Sequence, residues 1–271
     1  MTQEQTFEKL EVEYKSEGKY TIECILLKPS GGGRRPGIMV CPGRNASKMA
    51  SDMDWMADPL ANAGYVALSM TYRRENGVYL KTDIRDIMDG ISYLQSLDFV
   101  NPEQIGIIGR SRGAMSGLIT AAQDPRVKTV IAQGTTTDRI RSVTPLKEYA
   151  PTRYKTVVDF VGPTPQEAPE HYKEISPITY ADRIKVPVYM ITGTSDLYAP
   201  LDQAVWMIDA LKAHGNTSSK VEILDRVGHF LETPHGKFAY EEVAKLIMSW
   251  LKDKLPVKFE ETGPMSQQNA S

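Results

Sequence analysis

The chain has 271 residues, 41% of them hydrophobic and 24% charged, a balance too apolar for a disordered protein and ordinary for one that buries a core. Thirty-two Lys and Arg against 34 Asp and Glu leave a formal net charge of −2, so a phosphate backbone meets no electrostatic footprint and nucleic acid is excluded as a partner. No apolar run reaches about 18 residues, so neither a transmembrane helix nor a membrane partner is expected.

Residues 1–9 are polar and acidic, without the basic start and apolar stretch of a secretory signal. Two cysteines, Cys24 and Cys41, are too few for a disulfide scaffold and point to a reducing, cytoplasmic setting. The sequence has no CxxC and no HExxH, so no metal site and no cofactor are expected.

Along the chain, strand-like runs alternate with helix-period segments. Thr21-Ile22-Glu23-Cys24-Ile25-Leu26-Leu27 reads as a strand, closed by Lys28-Pro29 and the turn cluster Ser30-Gly31-Gly32-Gly33. Ile38-Met39-Val40-Cys41 is short and continuously apolar, as a strand buried on both faces should be. A helix is predicted over residues 49–63, stopped at Gly64, followed by a strand over 65–70. Residues 81–97 read as an amphipathic helix with Ile84, Ile87, Met88, Ile91 and Leu94 on one face. A strand at 105–108, a helix at 114–122 and a strand at 127–132 continue the pattern.

The rhythm breaks over residues 134–176, which hold five prolines (145, 151, 163, 165 and 169) and little regular period. An excursion of that length in a compact domain predicts a lid-like insertion, with Tyr149, Tyr154, Phe160 and Tyr172 either lining a pocket or forming the insertion's own small core. A strand at 188–192, a helix at 201–213, a strand at 220–224 and a helix at 237–253 complete the order, and the polar tail 257–271 is expected to be disordered. Strands separated by helices predict a mostly parallel sheet covered on both faces, with its site at the carboxyl ends of the strands.

The residues just after each apolar run therefore carry the chemistry. Gly109-Arg110-Ser111-Arg112-Gly113 follows a strand and opens a helix, fitting G-x-S-x-G in its required context. The turn lifts the Ser111 hydroxyl above the sheet edge and leaves the Arg112 N–H at a helix N-terminus, oriented for an oxyanion. Read blandly, it is a glycine-rich turn containing a serine; the G-x-G-x-x-G of a dinucleotide fold is not supplied by Gly106-Ile107-Ile108-Gly109. A serine needs a base. Of four histidines, His214 reads as a helix C-terminal cation, His171 lies in the irregular segment, and His229 follows the last strand, with His235 as its competitor. Asp196 follows the next-to-last strand and reads either as an Asx turn or as the group orienting an imidazole, with Asp202 as the local alternative. Ser111, Asp196 and His229 then stand in the order that distinguishes α/β-hydrolases from the chymotrypsin and subtilisin arrangements. A second oxyanion donor is sought in Cys41-Pro42-Gly43-Arg44-Asn45, with the Arg44 N–H as candidate and Gly43 and Asn45 as substrate-binding neighbours. Arg44, Arg110 and Arg112 are either solvated or sheet-capping charges, or a fork at the mouth for a substrate carboxylate or phosphate.

These motifs, together with Ser176-Pro177-Ile178-Thr179-Tyr180-Ala181-Asp182-Arg183-Ile184-Lys185-Val186-Pro187, Gly193-Thr194-Ser195-Asp196 with Pro200, and Gly228-His229-Phe230, resemble the α/β-hydrolase superfamily over residues 20–253. Within it the chain is similar to the catalytic domain of the prolyl oligopeptidase-like and dienelactone hydrolase-like branch. The resemblance implies one α/β-hydrolase domain over residues 1–256, with Ser111 as nucleophile, Asp196 as acid and His229 as base. The implied activity is hydrolysis of a small-molecule ester or amide through an acyl-enzyme, by a monomer or homodimer. The sequence shows no β-propeller segment, Arg112 stands where peptidases of this branch often carry Tyr, and the oxyanion loop reads Pro42-Gly43-Arg44. These departures favour a carboxylesterase of small acyl substrates over a peptidase. An acyltransferase and a non-catalytic binding protein on the same fold stay open.

Overall fold

The computed structural model describes residues 7–43, 53–73 and 80–257. Eight strands form one sheet: β1 (Phe7–Ser16), β2 (Tyr20–Pro29), β3 (Arg35–Cys41), β4 (Val66–Met70), β5 (Val100–Arg110), β6 (Val127–Gln133), β7 (Val188–Gly193) and β8 (Lys220–Leu224). Their spatial order is β1-β2-β4-β3-β5-β6-β7-β8. The first two strands pair antiparallel, β2 pairs antiparallel with β4, and the pairs from β4 onward are parallel.

The strand period of two sorts side chains between the two sheet faces. Cys24, Leu26, Met39, Cys41, Ile105, Ile107, Val130, Ala132 and Met190 enter one core cluster. Their neighbours Ile25, Leu27, Ile38, Val40, Ile108, Ile131, Tyr189 and Ile191 enter the other. The first cluster is covered by α2 (Leu80–Ser96), α3 (Arg112–Gln123) and α8 (Leu201–Ala213), the second by α1 (Asp54–Asn62) and α9 (Tyr240–Lys254). Val257 packs against the second cluster, and residues 258–271 lie outside the described residues.

Strand β1 went unread in the sequence because it is a sheet edge whose Lys and Glu side chains face water, which hides its apolar Leu10, Val12 and Tyr14 alternation. The segment 134–176 is more regular than its prolines suggest. It holds four short helices: α4 (Arg139–Val143), α5 (Leu146–Tyr149), α6 (Pro151–Val161) and α7 (Pro169–Glu174). Pro151 and Pro169 are the first residues of α6 and α7, where a missing N–H costs no hydrogen bond, so they start helices rather than break them. Val143, Val161, Tyr172 and Ile175 pack on Ile84 of α2 and on Met115 and Ile119 of α3. Tyr172 is fully buried in that small core, Tyr154 packs beside it, Phe160 lies in α6, and Tyr149 is exposed. The predicted helix start at 49–52 lies outside the described residues. No described helix is long and apolar enough to cross a membrane.

One buried ion pair locks the β1–β2 hairpin to the rest. The Arg73 Nε stands 3.0 and 3.1 Å from the two Asp86 oxygens, its Nη1 reaches Glu17 at 2.9 Å and its Nη2 reaches Ser16 Oγ at 2.9 Å. The Asp86 side chain is fully buried and that of Arg73 nearly so. Truncating one partner strands the other charge, so Arg73→Ala should lower unfolding free energy by about 3–5 kcal/mol. Urea denaturation followed by circular dichroism checks this; a loss no larger than that of an exposed arginine would contradict it.

Candidate active site

The transition from β5 to α3 takes a single residue. Ser111 sits between them with φ 51° and ψ −112°, a backbone conformation an L-residue holds only when its surroundings impose it. Its N–H donates to the Gln133 carbonyl at 2.9 Å. Its carbonyl accepts from the Thr135 hydroxyl at 2.8 Å and from the Met115 N–H at 3.1 Å. The helix start presses directly on the end of β3: a Cβ at Gly113 would lie 2.1 Å from the Cys41 carbonyl oxygen. Only glycine allows that approach. The half-buried Ser111 is therefore raised at the carboxyl edge of the sheet. Helix α3 begins at Arg112, whose N–H is among the first four that no intrahelical carbonyl takes.

Two other strand ends deliver the partners. His229 follows β8 and stands with Nε2 3.2 Å from the Ser111 Oγ. Its Nδ1 is 2.8 Å from Asp196 Oδ2, in the loop after β7. Asp196 and His229 are both almost wholly buried. A carboxylate can only accept, so Nδ1 carries the ring proton and Nε2 is left to accept the Ser111 hydroxyl proton. The two readings of Asp196 turn out to be compatible. Its Oδ1 accepts the Tyr198 and Ala199 N–H groups, each at 2.8 Å, in an Asx-type turn, and Oδ2 remains for the imidazole.

The competitors are elsewhere. His235 is exposed in the loop before α9, His214 caps the C-terminus of α8, His171 lies in α7, and Asp202 is exposed in the first turn of α8. Gly43 lies beside the serine, its Cβ position 3.9 Å from Ser111 Cβ. Arg44 and Asn45 lie outside the described residues. Arg110 is buried with its guanidinium 4.8 Å from the Phe230 ring centre. The Arg112 side chain corrects the reading of three arginines at the mouth. It turns to Asp83 of α2, with Nε–Oδ2 at 2.6 Å and Nη2–Oδ1 at 2.5 Å, and both side chains are largely buried. Burial pushes the Asp83 carboxyl up, and its bonds to Arg112 pull it part of the way back. The physical reason for the turn is that a buried carboxylate needs this paired cation more than the mouth offers one.

Reading motifs alone missed Gln133 and Gly134. Gln133 accepts the Ser111 N–H on its backbone and donates its side-chain Nε2 to the His229 carbonyl at 3.2 Å, so one residue tethers both. Gly134 has φ +54°, and a Cβ there would stand 3.1 Å from Asp196 Oδ2 and 3.3 Å from His229 Nδ1. The signal was present: both residues directly follow the apolar run of β6, at the same sheet edge as the others. The rim is aromatic. Tyr198 and Phe230 stand 5.0 and 5.1 Å, centre to centre, from the His229 ring, and Leu197, Tyr198 and Phe230 are exposed. Arg153 of α6 donates to the Leu197 and Tyr198 carbonyls, the latter at 2.9 Å, so the 134–176 segment is tied to the loop that holds Asp196. Among the described residues no group of three or more His, Cys, Asp or Glu side chains is placed to hold a metal ion.

Comparison with known proteins places this arrangement. The chain is 32% identical over 131 residues to Acyltransferase drtE of Aspergillus calidoustus, covering 45% of this chain and 41% of that protein. The acylaminoacyl peptidase of Pyrococcus horikoshii has the same fold, with TM-score 0.79 and 23% identity, over 94% of this chain and 43% of that one. An esterase of Pyrococcus furiosus superposes with TM-score 0.70 and 20% identity over 94% of each chain. This chain thus spans about two-fifths of the length of the acyltransferase and of the peptidase. The fold is that of the α/β-hydrolases. The prolyl oligopeptidase family matches residues 52–257, a span that carries Ser111, Asp196 and His229 together, and the chain belongs to that family.

Proposed function

We propose that the protein is a serine hydrolase and that its substrates are small carboxylic esters. One observation carries the reading: a hydroxyl, an imidazole and a carboxylate in one hydrogen-bonded row, 3.2 and 2.8 Å, at the carboxyl edge of the parallel strands of a mostly parallel sheet. Ser111 attacks the carbonyl carbon as His229 Nε2 takes its proton. Asp196 holds the ring in the required tautomer and stabilises the imidazolium that forms. The N–H groups of Arg112 and Arg44 take the oxyanion, and Gly43, Asn45 and Arg110 border the substrate. His229 then protonates the leaving alcohol, and water repeats the sequence to free the acid. The protein needs no cofactor for this chemistry.

The ester reading is supported by Arg112 after the serine, by the Pro42-Gly43-Arg44 loop, and by esterases that share the fold. A second reading, acyl transfer to an alcohol or amine, is favoured by the relatives named acyltransferase and polyketide transferase, at 32% and 33% identity. The same acyl-enzyme serves both, and the acceptor decides.

Ser111→Ala should lower turnover of a p-nitrophenyl ester by about 10⁴–10⁶ and abolish labelling by a fluorophosphonate probe. His229→Ala should cause a comparable loss, whereas His235→Ala should stay within about twofold; a reversed order would move the base to 235. A chain-length series of p-nitrophenyl esters, run beside aminoacyl and peptide anilides, checks the substrate class: short acyl esters should dominate, and faster anilide cleavage would assign a peptidase. Product analysis with an added alcohol should show mainly the free acid; mainly the new ester would assign a transferase. Gly134→Ala should depress kcat through displacement of the Asp196–His229 pair and, at positive φ, cost about 1–2 kcal/mol of stability, read by urea denaturation. Unchanged turnover in that variant would mean the pair tolerates the added methyl.

A further inference from the structure

We infer that Tyr72 and Arg112 are positioning residues for the oxyanion loop, held in place by the buried carboxylate of Asp83. The inference rests on the serine-hydrolase reading and gives the Arg112 side chain a task distinct from its N–H.

The loop after β3 begins at Pro42 and Gly43, beside Ser111. Neither residue has a side chain that can anchor the loop by a hydrogen bond, and Pro42 has no N–H to donate. The loop is held instead from outside. Tyr72, two residues past β4, donates its hydroxyl to the Pro42 carbonyl at 2.7 Å. A trans peptide is planar with its N–H opposite its C=O, so fixing the Pro42 carbonyl fixes the direction of the Gly43 N–H at the start of the loop. An oxyanion donor must be aimed before reaction, at about 2.7–3.1 Å from where the charge develops, and a loop free to rotate its first peptide would lose that aim.

Tyr72 is fixed in turn. Its side chain is buried, and the Arg112 guanidinium lies 4.0 Å from its ring centre. That guanidinium is forked on both oxygens of Asp83, and the Ser116 hydroxyl, one turn further along α3, stands 3.3 Å from Asp83 Oδ2. The fork matters: two N–H groups of one guanidinium bond the two carboxylate oxygens while its central carbon lies over the ring, which a single ammonium cannot do. The result is a continuous path from α2 through the first residue of α3 to the ends of β4 and β3. The residue whose N–H opens α3 thereby braces, by its side chain, the Pro42–Gly43 peptide from which the oxyanion loop starts.

Tyr72→Phe keeps the ring and removes only the bond to Pro42. Its kcat for a p-nitrophenyl ester, per site titrated by a fluorophosphonate, should fall by about tenfold, a fraction of the loss for deleting a donor outright, with KM within about twofold. Inhibition by butylboronic acid, whose tetrahedral adduct uses the same donors, should weaken by about the same factor. Arg112→Lys keeps the charge opposite Asp83 and loses the planar face, and should show the same split of kcat from KM to a smaller degree. A purely structural role would reduce the titrated fraction or the Tm and leave kcat per titrated site alone. Unchanged kcat per site and unchanged boronate affinity in both variants would overturn the inference while the serine-hydrolase reading stands. A wild-type protein neither active nor labelled would overturn both.

Discussion

A strand can become a helix within one residue only if nothing stands between the two backbones. That constraint governs the turn at Ser111. Gly109 lets the end of β5 lie against the start of α3, where a Cβ would stand 2.4 Å from the Gly113 carbonyl oxygen, and the serine between strand and helix is held at positive φ. Such a conformation costs on the order of 1–3 kcal/mol and persists because its surroundings over-determine it. Here Gln133, Thr135 and Met115 hold both ends of the Ser111 peptide units. The strain has a use: it sets the hydroxyl off the sheet plane while leaving the next N–H exposed at a helix start.

The other two members of the row are placed by the same sheet edge and kept by burial. Asp196 divides its oxygens, one to two backbone N–H groups and one to the imidazole, so its charge has three partners in a region nearly closed to water. A carboxylate buried without them would cost several kcal/mol. Gln133 adds a link that no motif contains, joining the backbone of the serine turn to the backbone of the histidine loop. Displacement of one loop is thus felt at the other.

Helix α2 acts as a keel for charge. Asp83 faces the start of α3, and Asp86 holds the arginine that locks the β1–β2 hairpin. Asp89, one turn on, accepts from Ser16 Oγ at 3.0 Å and from the Glu17 N–H at 2.9 Å. Carboxylates three residues apart on one helix face meet neighbours at successive turns. In this chain they tie an edge hairpin and the site to a single helix, while the apolar residues of the same helix enter the core.

Local physics in the sequence was enough for the alternation of buried strands and amphipathic helices, and for the three loops that end in Ser111, Asp196 and His229. Apolar periodicity and a tight glycine-flanked turn depend on near neighbours, so a linear reading reaches them. The edge strand β1 escaped it because half its surface is in water, and the helices of 134–176 escaped it because a proline that starts a helix looks, in isolation, like one that breaks it. Tertiary structure alone decided that the Arg112 side chain faces Asp83, that His229 rather than His235 is buried against Asp196, and that Gln133 spans two loops. Each of those choices depends on which distant segment supplies a partner once water is removed, a quantity that spacing along the chain does not encode.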